Sequence, residues 1–214
     1  MRLARLQKEE AGLEREPIAG VLVARDGTWD FHFCLYDVEG DFAGGTYHGL
    51  LRLHENYPFH APKLFFYTPN GRFETNTPIC TSFTDYHQEN WSSAWNVRSL
   101  ILATISFMHA SEPSFGCRKD PVNVRRALAA GSMGHNLKSP EFVRMFREGL
   151  ERAGKLAPVA EGEEEDSSGE KMEPVVEEQL LASEPEVRPP RPGLQMVCWV
   201  GAMVLVGLLV YLLV

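Results

Sequence analysis

The sequence has no CxxC pair and no grouping of cysteine and histidine residues with the spacing of a metal site. Its four cysteines are scattered along the chain, at Cys34, Cys80, Cys117 and Cys198. The pattern predicts no bound metal. Residues 1–15 are charged throughout and lack the apolar core of a signal peptide. We therefore expect a reducing, cytosolic setting in which most of these free thiols are small buried apolar side chains.

The chain also lacks an excess of basic residues in its first part. Eleven of the 29 acidic residues, but only three of the 21 basic residues, follow Lys155. That region therefore carries the whole net charge of −8, and residues 1–155 are neutral overall. A nucleic-acid-binding domain would show a basic face, so the composition argues against a nucleic-acid partner.

Three regions differ in composition. Residues 1–155 combine apolar periodicity with turn residues at the density of a globular domain. Residues 156–193 are rich in glutamate, proline, serine and glycine and contain no aromatic residue, which predicts a disordered acidic linker. Residues 194–214 are almost wholly apolar. We expect one catalytic or binding domain, a linker and a membrane anchor.

The apolar region has the properties of one transmembrane helix. Residues 196–214 hold no charge, and as a helix they would span about 28 Å, close to the roughly 30 Å of a bilayer core. Trp199 and Tyr211 lie near the two ends, where aromatic rings favour the interface. Arg188 and Arg191 precede the span and favour a cytosolic N-terminal side. The alternative is a buried core helix, but such a helix would show a polar stripe. Because the span ends the sequence, we expect a tail-anchored protein.

Residues 1–155 show the order of an α+β domain, in which a helix precedes a run of strands and further helices follow. Leu3, Leu6 and Leu13 mark an amphipathic first helix that ends before Pro17. Strand patterns occur at 20–24, 29–36, 46–53 and 63–67, and helical patterns at 97–108, 121–133 and 140–152. The stretch 68–95 is long and irregular, and loops of that length inside a domain are usually functional.

Several short motifs, each weak alone, occur together in one order and spacing. They are Arg2 to Glu9 with Arg15-Glu16-Pro17, Gly44 to Gly49, Tyr57-Pro58-Phe59, Thr68 to Phe73, Asn76-Thr77 and Ile79-Cys80. Jointly they resemble the ubiquitin-conjugating (E2) enzymes, and most closely the divergent J-type, tail-anchored branch at the endoplasmic reticulum. The resemblance implies the ubiquitin-conjugating (UBC) fold, with an N-terminal helix, a four-stranded antiparallel meander sheet and C-terminal helices.

In that family one cysteine accepts activated ubiquitin from an activating enzyme (E1) as a thioester. It then passes the ubiquitin C-terminus to a substrate or a ligase (E3). The resemblance assigns this role to Cys80, because a thiolate is a strong nucleophile and a good leaving group. Its neighbours Thr81, Ser82 and Thr84 favour a polar, accessible loop over a packed strand. ATP is consumed by E1, so the resemblance implies no cofactor in this chain.

Asn70 is the second candidate site residue. By resemblance its side-chain amide stabilises either the oxyanion that forms when the thioester is attacked or the active-site loop itself. The alternative is an asparagine that forms a tight turn before Gly71.

The sequence departs from the main family at several points. The usual His-Pro-Asn reads Thr68-Pro69-Asn70, and the segments between Asn70, Cys80 and Trp91 are longer than usual. The acidic residues that gate lysine in common E2 enzymes are absent from the segment 111–116, apart from Glu112. These changes put ordinary lysine activation in doubt.

The insertion around His87 offers a replacement base. An imidazole oriented by the nearby carboxylate of Asp85 could accept a proton from an incoming hydroxyl near neutral pH. The J-type branch is associated with transfer to serine and threonine as well as lysine. We hypothesise that Asp85 and His87 assist attack by hydroxyls; the alternative is a loop histidine beside a solvated aspartate.

Partner surfaces follow from the same resemblance. Arg5 and Lys8 match first-helix positions that meet E1, and Phe59, Ser93, Ala94 and Trp95 match the two loops that E3 ligases bind. A solvated helix face and local packing are the respective alternatives. The resemblance also implies the membrane of the endoplasmic reticulum, with the domain in the cytosol and substrates drawn from protein quality control (ER-associated degradation).

Two other functions fit parts of the pattern. A catalytically silent E2-like module would present ubiquitin or a ligase without chemistry, although such modules lack the cysteine. A membrane-tethered cysteine hydrolase would pair Cys80 with His87 or His135, although neither histidine lies in a recognisable hydrolase context.

Overall fold

The computed structural model describes residues 2–157. These residues form, in chain order, helix α1 (Arg2–Arg15), strands β1 (Val21–Asp26), β2 (Asp30–Leu35), β3 (Tyr47–Arg52) and β4 (Lys63–Phe66), and helices α2 (Val97–His109), α3 (Val122–Asn136) and α4 (Pro140–Arg152). Two 3₁₀ segments, Gly40–Phe42 and Asp85–Asn90, interrupt the connections. The predicted span at 194–214 and residues 158–193 of the predicted linker lie outside the described residues.

The four strands form one antiparallel sheet in the order β1-β2-β3-β4, which confirms the predicted meander. The register places Phe33 of β2 opposite Val23 of β1 and Gly49 of β3. A Cβ atom at Gly49 would lie 2.3 Å from Cζ of Phe33, so the close approach of the ring requires glycine there.

The two faces of the sheet are buried against different helices. Side chains alternate along β2, so that Phe31 and Phe33 belong to the main core with Ile101 of α2. Cys34 belongs to a second cluster on the other face, with Phe146 of α4. The sheet is therefore covered on both sides, and its edge beside β4 is where the long loop to α2 begins.

Helix α4 is bound to the sheet by one apolar stripe. Phe142, Phe146 and Leu150 recur at helical spacing and are each at most 1% exposed. Burying side chains of this size stabilises a fold by about 1.5–3 kcal/mol each. The helix begins after Ser139, whose hydroxyl accepts a hydrogen bond from the backbone N–H of Phe142.

Two histidines are buried under α4. Nδ1 of His32 and Nε2 of His48 lie 2.9 Å apart, and both residues are 2% exposed. The His48 ring also packs against Phe142 and Phe146. Burial and, to a smaller extent, the neighbouring His32 lower the pKa of His48 to about 3. Burial also lowers the pKa of His32, against the opposing effect of Glu141.

Within residues 2–157, no helix is both long enough and apolar enough to cross a bilayer.

The buried pair predicts that stability falls in weak acid. The folded state keeps His48 neutral while the unfolded chain, with an ordinary pKa near 6.5, binds a proton. The free energy of unfolding should therefore be highest above about pH 6.5 and fall as the pH drops towards about 3. Urea unfolding between pH 7.5 and 4.5 measures this slope. His48→Gln should flatten it, whereas His135→Gln, an exposed residue of α3, should not. A slope that is identical in both variants would contradict the assignment.

Candidate active site

The loop that carries Cys80 is attached to the edge of the sheet. The backbone N–H of Ile79 donates to the carbonyl oxygen of Leu64 in β4 at 2.9 Å, and that of Asn76 donates to Phe66 at 2.9 Å. Ile79 is fully buried and belongs to the main core. The chain is thus fixed one residue before the thiol, so the sheet edge sets the position of Cys80.

A second segment, residues 111–117 before α3, holds Cys80 from the other side. The backbone N–H of Cys80 donates to the carbonyl oxygen of Phe115 at 3.0 Å, and the Ser114 hydroxyl donates to the carbonyl oxygen of Cys80 at 2.7 Å. Gly116 adopts φ +75°, and a Cβ atom there would lie 2.7 Å from the carbonyl oxygen of Pro78. Only glycine permits this close approach of the two loops.

The Cys80 thiol lies in an open groove. The residue is half-buried, and the groove has a volume of about 310 Å³. The residues that line it include Thr81, Ser82, His87, Asn90, Glu112 and Ser114, together with the apolar Phe107 and Pro113. A thiol in such a groove can be reached by another protein, as the polar neighbours in the sequence predicted.

His87 is in contact with both the thiol and a carboxylate. Its Nε2 lies 3.3 Å from Sγ of Cys80, and its Nδ1 lies 3.0 Å from Oε1 of Glu89. The pKa of Glu89 is lowered, first because its own backbone N–H donates to the carboxylate and then because His87 does. The sequence prediction that His87 lies near Cys80 agrees with this geometry.

The orienting carboxylate differs from the prediction. Oδ2 of Asp85 lies 3.6 Å from Nζ of Lys63 at the start of β4, and Glu89 occupies the place beside His87 that we expected for Asp85. The reason is a bend in the 3₁₀ segment, where His87 has φ −128° and ψ 54°. The bend sends the side chains on either side of His87 in different directions.

The Asn70 side chain forms hydrogen bonds to the backbone of its own turn. It is 1% exposed, and its Oδ1 accepts hydrogen bonds from the backbone N–H groups of Arg72 and Phe73, both at 2.8 Å. Its Nδ2 donates to the carbonyl oxygen of Thr68 at 3.0 Å. Of the two roles left open by the sequence, this geometry favours stabilisation of the active-site loop.

Thr68 occupies the position where the main family has a histidine. Its hydroxyl accepts a hydrogen bond from the backbone N–H of His48 at 2.8 Å and donates to Oδ1 of Asn136 at 2.5 Å. The residue is fully buried. A small hydroxyl thus joins β3 to the end of α3, a contact that the sequence did not reveal.

The two other described cysteines differ from Cys80. Cys34 is fully buried, and burial raises the pKa of its thiol, which agrees with the predicted core role. Cys117 is half-buried, and burial also raises its pKa, although the Arg72 guanidinium opposes that shift.

The predicted E1-binding residues have different environments. Lys8 is exposed on α1. Arg5 is half-buried: its guanidinium pairs with Glu9 and donates to the carbonyl oxygen of Trp95 at 2.9 Å. The buried Glu9 carboxylate also accepts hydrogen bonds from the Tyr57 hydroxyl at 2.7 Å and from the backbone of α2. Arg5 is therefore not simply a solvated position, and Glu9 is a residue that the sequence analysis missed.

The predicted ligase-binding residues lie on two connected loops. Phe59 is 72% exposed, so local packing does not account for its ring. Ser93 and Ala94 are exposed, and Trp95 is half-buried beside Phe83. The loop that carries Phe59 is joined to the segment just before Ser93, because the Trp91 indole N–H donates to the carbonyl oxygen of Pro58 at 2.9 Å.

One group of possible metal ligands occurs among residues 2–157. Ligand atoms of Asp26, His32 and Glu141 lie within 4.8 Å of one another. Arg144 already donates to the Asp26 carboxylate at 2.7 Å, so a cation there would compete with an ion pair. The group lies beside α4 and includes none of the residues that line the Cys80 groove.

The Asn70 turn predicts a measurable loss of stability. Asn70→Ala leaves two buried backbone N–H groups without their acceptor, which should lower the free energy of unfolding by about 2–3 kcal/mol. Urea unfolding at pH 7.5 measures the change. Asn123→Ala, an exposed position on α3, is the matched control and should change it by less than about 0.5 kcal/mol. An Asn70→Ala variant as stable as the parent would show that these bonds do not hold the turn.

Comparison with known proteins agrees with this geometry. The family profile described as "Ubiquitin-conjugating enzyme" matches residues 5–130. "Ubiquitin-conjugating enzyme E2 34" of Arabidopsis thaliana is 38% identical over 154 residues, which cover 70% of this chain and 65% of that protein. "Ubiquitin-conjugating enzyme E2 J2-like" of Dictyostelium discoideum is 33% identical over 147 residues, which cover 67% of this chain and 86% of that protein. Human "Ubiquitin-conjugating enzyme E2 J2" is 31% identical over 150 residues, which cover 69% of this chain and 58% of that protein.

The chain thus spans less than two thirds of the length of the Arabidopsis and human relatives. The family profile extends from α1 into α3 and includes the sheet, the Cys80 loop and α2. The match confirms the UBC fold that the motifs predicted. The chain belongs to the ubiquitin-conjugating enzyme family, in the branch that contains the J2-like relatives.

Proposed function

We propose that this chain accepts ubiquitin from E1 as a thioester on Cys80 and transfers it to substrates. The observation that carries the proposal is the half-buried Cys80 thiol in an open groove, with its backbone fixed from both sides. A rigid backbone with an accessible thiol suits acyl exchange, because the sulfur must meet two large partners in turn. ATP is consumed by E1, so this chain supplies the sulfur and the surfaces but requires no cofactor of its own.

The reaction has two acyl transfers. The Cys80 thiolate attacks the thioester carbonyl of E1-bound ubiquitin, and the E1 thiolate leaves. An acceptor amine or hydroxyl then attacks the new carbonyl, and the Cys80 thiolate leaves in its turn. Asn70 acts in both steps by holding the loop before Cys80, since its amide is bonded to the backbone of that loop.

The acceptors are lysine and the hydroxyls of serine and threonine. A specific observation favours hydroxyls: Nε2 of His87 lies 3.3 Å from the sulfur that will carry the acyl group. A hydroxyl must lose its proton as it attacks, and a base at that distance from the sulfur can accept it. Glu112 is the only acidic residue in the segment 111–116 that lines the groove.

The partner surfaces follow from the family resemblance and from exposed and half-buried residues of α1 and two loops. E1 meets α1 at Arg5 and Lys8, and ligases meet Phe59 together with Ser93, Ala94 and Trp95. The Arg5–Trp95 hydrogen bond joins the two surfaces, and the exposed Phe59 ring offers an apolar anchor of the kind found at the centre of interfaces.

The domain acts at the membrane of the endoplasmic reticulum, anchored by residues 194–214 and with the domain in the cytosol. Support comes from the uncharged stretch 196–214, whose length suits a bilayer. The 38 residues from 156 to 193 would span roughly 35 Å as a flexible chain and keep the active site close to the bilayer. Tethering raises the effective concentration of membrane-bound ligases and substrates. Substrates would be membrane proteins, or proteins returned to the cytosol, that are marked for degradation.

Two alternatives make different predictions. A silent E2-like module would bind ubiquitin or a ligase without using Cys80. A cysteine hydrolase would use the same Cys80–His87 contact, but it would form no adduct with ubiquitin supplied by E1. Of the two candidate histidines, His87 lies 3.3 Å from the sulfur through its Nε2, whereas His135 is exposed on α3.

Charging by E1 tests the proposed activity. Incubation with E1, ATP and ubiquitin should give one adduct that a reducing agent releases. Cys80→Ser should form no reducible adduct, because an oxygen ester resists thiols. Cys117→Ser is the matched control and should charge at the parent rate, since Cys117 is half-buried and burial raises the pKa of its thiol. An adduct that persists in Cys80→Ser and disappears in Cys117→Ser would transfer the role to the other cysteine.

Removal of residues 194–214 tests the anchor. The shortened protein should leave the membrane fraction of cells, and turnover of membrane-bound substrates should slow by a factor on the order of 10² because the effective concentration is lost. An unrelated apolar span of the same length, fused after residue 193, should restore both. A shortened protein that stays in the membrane fraction would contradict the assignment.

A further inference from the structure

The ring of His87 connects the nucleophilic sulfur to an exposed carboxylate. Nε2 faces Sγ of Cys80 at 3.3 Å, and Nδ1 faces Oε1 of Glu89 at 3.0 Å. We propose that Glu89 is the positioning residue of a Cys80–His87–Glu89 relay that directs the thioester to hydroxyl acceptors. This inference rests on the proposed function and deepens it, since it names the group that makes His87 a base.

The two contacts select one tautomer. A carboxylate only accepts hydrogen bonds, so the contact with Glu89 places a proton on Nδ1 of His87. Nε2 then carries the free lone pair and points at the sulfur. In the uncharged enzyme this lone pair accepts a hydrogen bond from the Cys80 thiol. Once the sulfur is acylated the thiol proton is gone, and Nε2 is free to accept one from an incoming acceptor.

The segment that carries the ring is held at both ends. The backbone N–H of His87 donates to the carbonyl oxygen of the buried Thr84 at 3.0 Å. On the other side, Gln88 accepts a hydrogen bond from the backbone N–H of Ala61 at 3.0 Å and donates to the carbonyl oxygen of Phe59 at 3.1 Å. The bend at His87 therefore belongs to a braced segment, and the ring is aimed before any substrate arrives.

The surrounding charges support this assignment. Asp85 is paired with Lys63, whose Nζ lies 3.6 Å from Oδ2 of Asp85. Glu112 and Asn90 line the same groove as the thiol and His87. The Glu89 carboxylate has a lowered pKa because its own backbone N–H and the imidazole donate to it, so it remains ionised at the pH where ubiquitin transfer occurs. A stable anion beside Nδ1 favours the imidazolium that forms when Nε2 takes a proton.

The transfer step moves one proton from the acceptor to His87 and then to Cys80. The acceptor oxygen forms a bond to the thioester carbonyl carbon while its proton passes to Nε2 of His87. The bond between that carbon and Sγ of Cys80 breaks, and its electron pair remains on the sulfur. The imidazolium then returns its proton to the thiolate, so the thiol and the neutral ring are restored. Glu89 stays a carboxylate throughout, and the product is an ester of ubiquitin.

The arrangement discriminates between acceptor classes. A hydroxyl is a poor nucleophile until its proton is removed, so a base near the acyl sulfur accelerates its attack. A lysine side chain is protonated at neutral pH, with an ordinary pKa near 10.4, and an imidazole is too weak a base to deprotonate it efficiently. The fraction that is already a neutral amine attacks without a base. Loss of the relay should therefore slow transfer to hydroxyls much more than transfer to lysine.

Single-turnover discharge tests the relay. The full chain is charged with ubiquitin, and ATP is then removed so that E1 can no longer recharge it. Decay of the thioester is followed after addition of N-acetylserine amide, which offers only a hydroxyl, or of N-acetyllysine amide, which offers an amine. Glu89→Gln keeps the shape of the side chain and removes its charge. It should slow discharge to the serine probe about tenfold, move the midpoint of that pH–rate profile to lower pH, and change discharge to the lysine probe less than twofold. His87→Ala should abolish the serine reaction. Glu89→Asp keeps the charge and should retain part of the serine activity that Glu89→Gln loses.

The controls separate the possible outcomes. Glu39→Gln, an exposed carboxylate elsewhere in the domain, should match the parent and excludes an effect of net charge. Equal losses with both probes, or an unchanged serine reaction and pH profile in Glu89→Gln, would overturn the proposal. The same loss in Asp85→Asn and none in Glu89→Gln would give the positioning role to Asp85. Failure of the parent protein to form a reducible Cys80 adduct would contradict the proposed function itself, before the relay is tested.

Discussion

The reactive position depends on the backbone on either side of Cys80. The hydrogen bond from Ile79 to Leu64 connects the loop to β4, and the bonds between Cys80 and the segment 114–115 connect it to the loop before α3. Each bond contributes only about 1 kcal/mol net. Together they satisfy both backbone polar groups of Cys80 without using its side chain. The thiol can therefore exchange acyl groups while its backbone stays fixed.

A buried network of polar side chains connects the start of the same loop, at Thr68, to α3. The Ser132 hydroxyl accepts a hydrogen bond from the backbone N–H of Thr46 at 2.8 Å, and the Asn136 amide donates to the carbonyl oxygen of Thr46 at 2.7 Å. Asn136 in turn accepts the hydroxyl of Thr68. Because each buried group has a partner, α3 can dock polar side chains against β3 without a large desolvation cost. The start of the active-site loop is thereby tied to a helix that carries none of the proposed reactive groups.

The elements of the fold could be predicted from the sequence because their patterns are periodic and local. The alternation along β2, with Phe31 and Phe33 on one face and Cys34 on the other, predicts a strand that is buried on both sides. Pro140 after Ser139 predicts the start of α4, as found. The pattern did not show which face of the sheet α4 covers. That depends on how the phenylalanines of α4 meet the His32–His48 pair, which is a long-range contact between distant parts of the chain.

The active site could be predicted from the sequence only in part. Cys80 and His87 could be selected from their residue types and neighbours, because nucleophiles and bases are few. The orienting carboxylate could not, because Asp85 and Glu89 lie two residues on either side of His87 and are equivalent by spacing. Two features of the folded chain break the symmetry. Lys63 at the start of β4 pairs with Asp85, and the bend at His87 turns Nδ1 towards Glu89. The orienting acid thus depends on two contacts that the loop sequence does not reveal: a lysine more than twenty residues away pairs with Asp85, and the bend at His87 leaves Glu89 beside the imidazole.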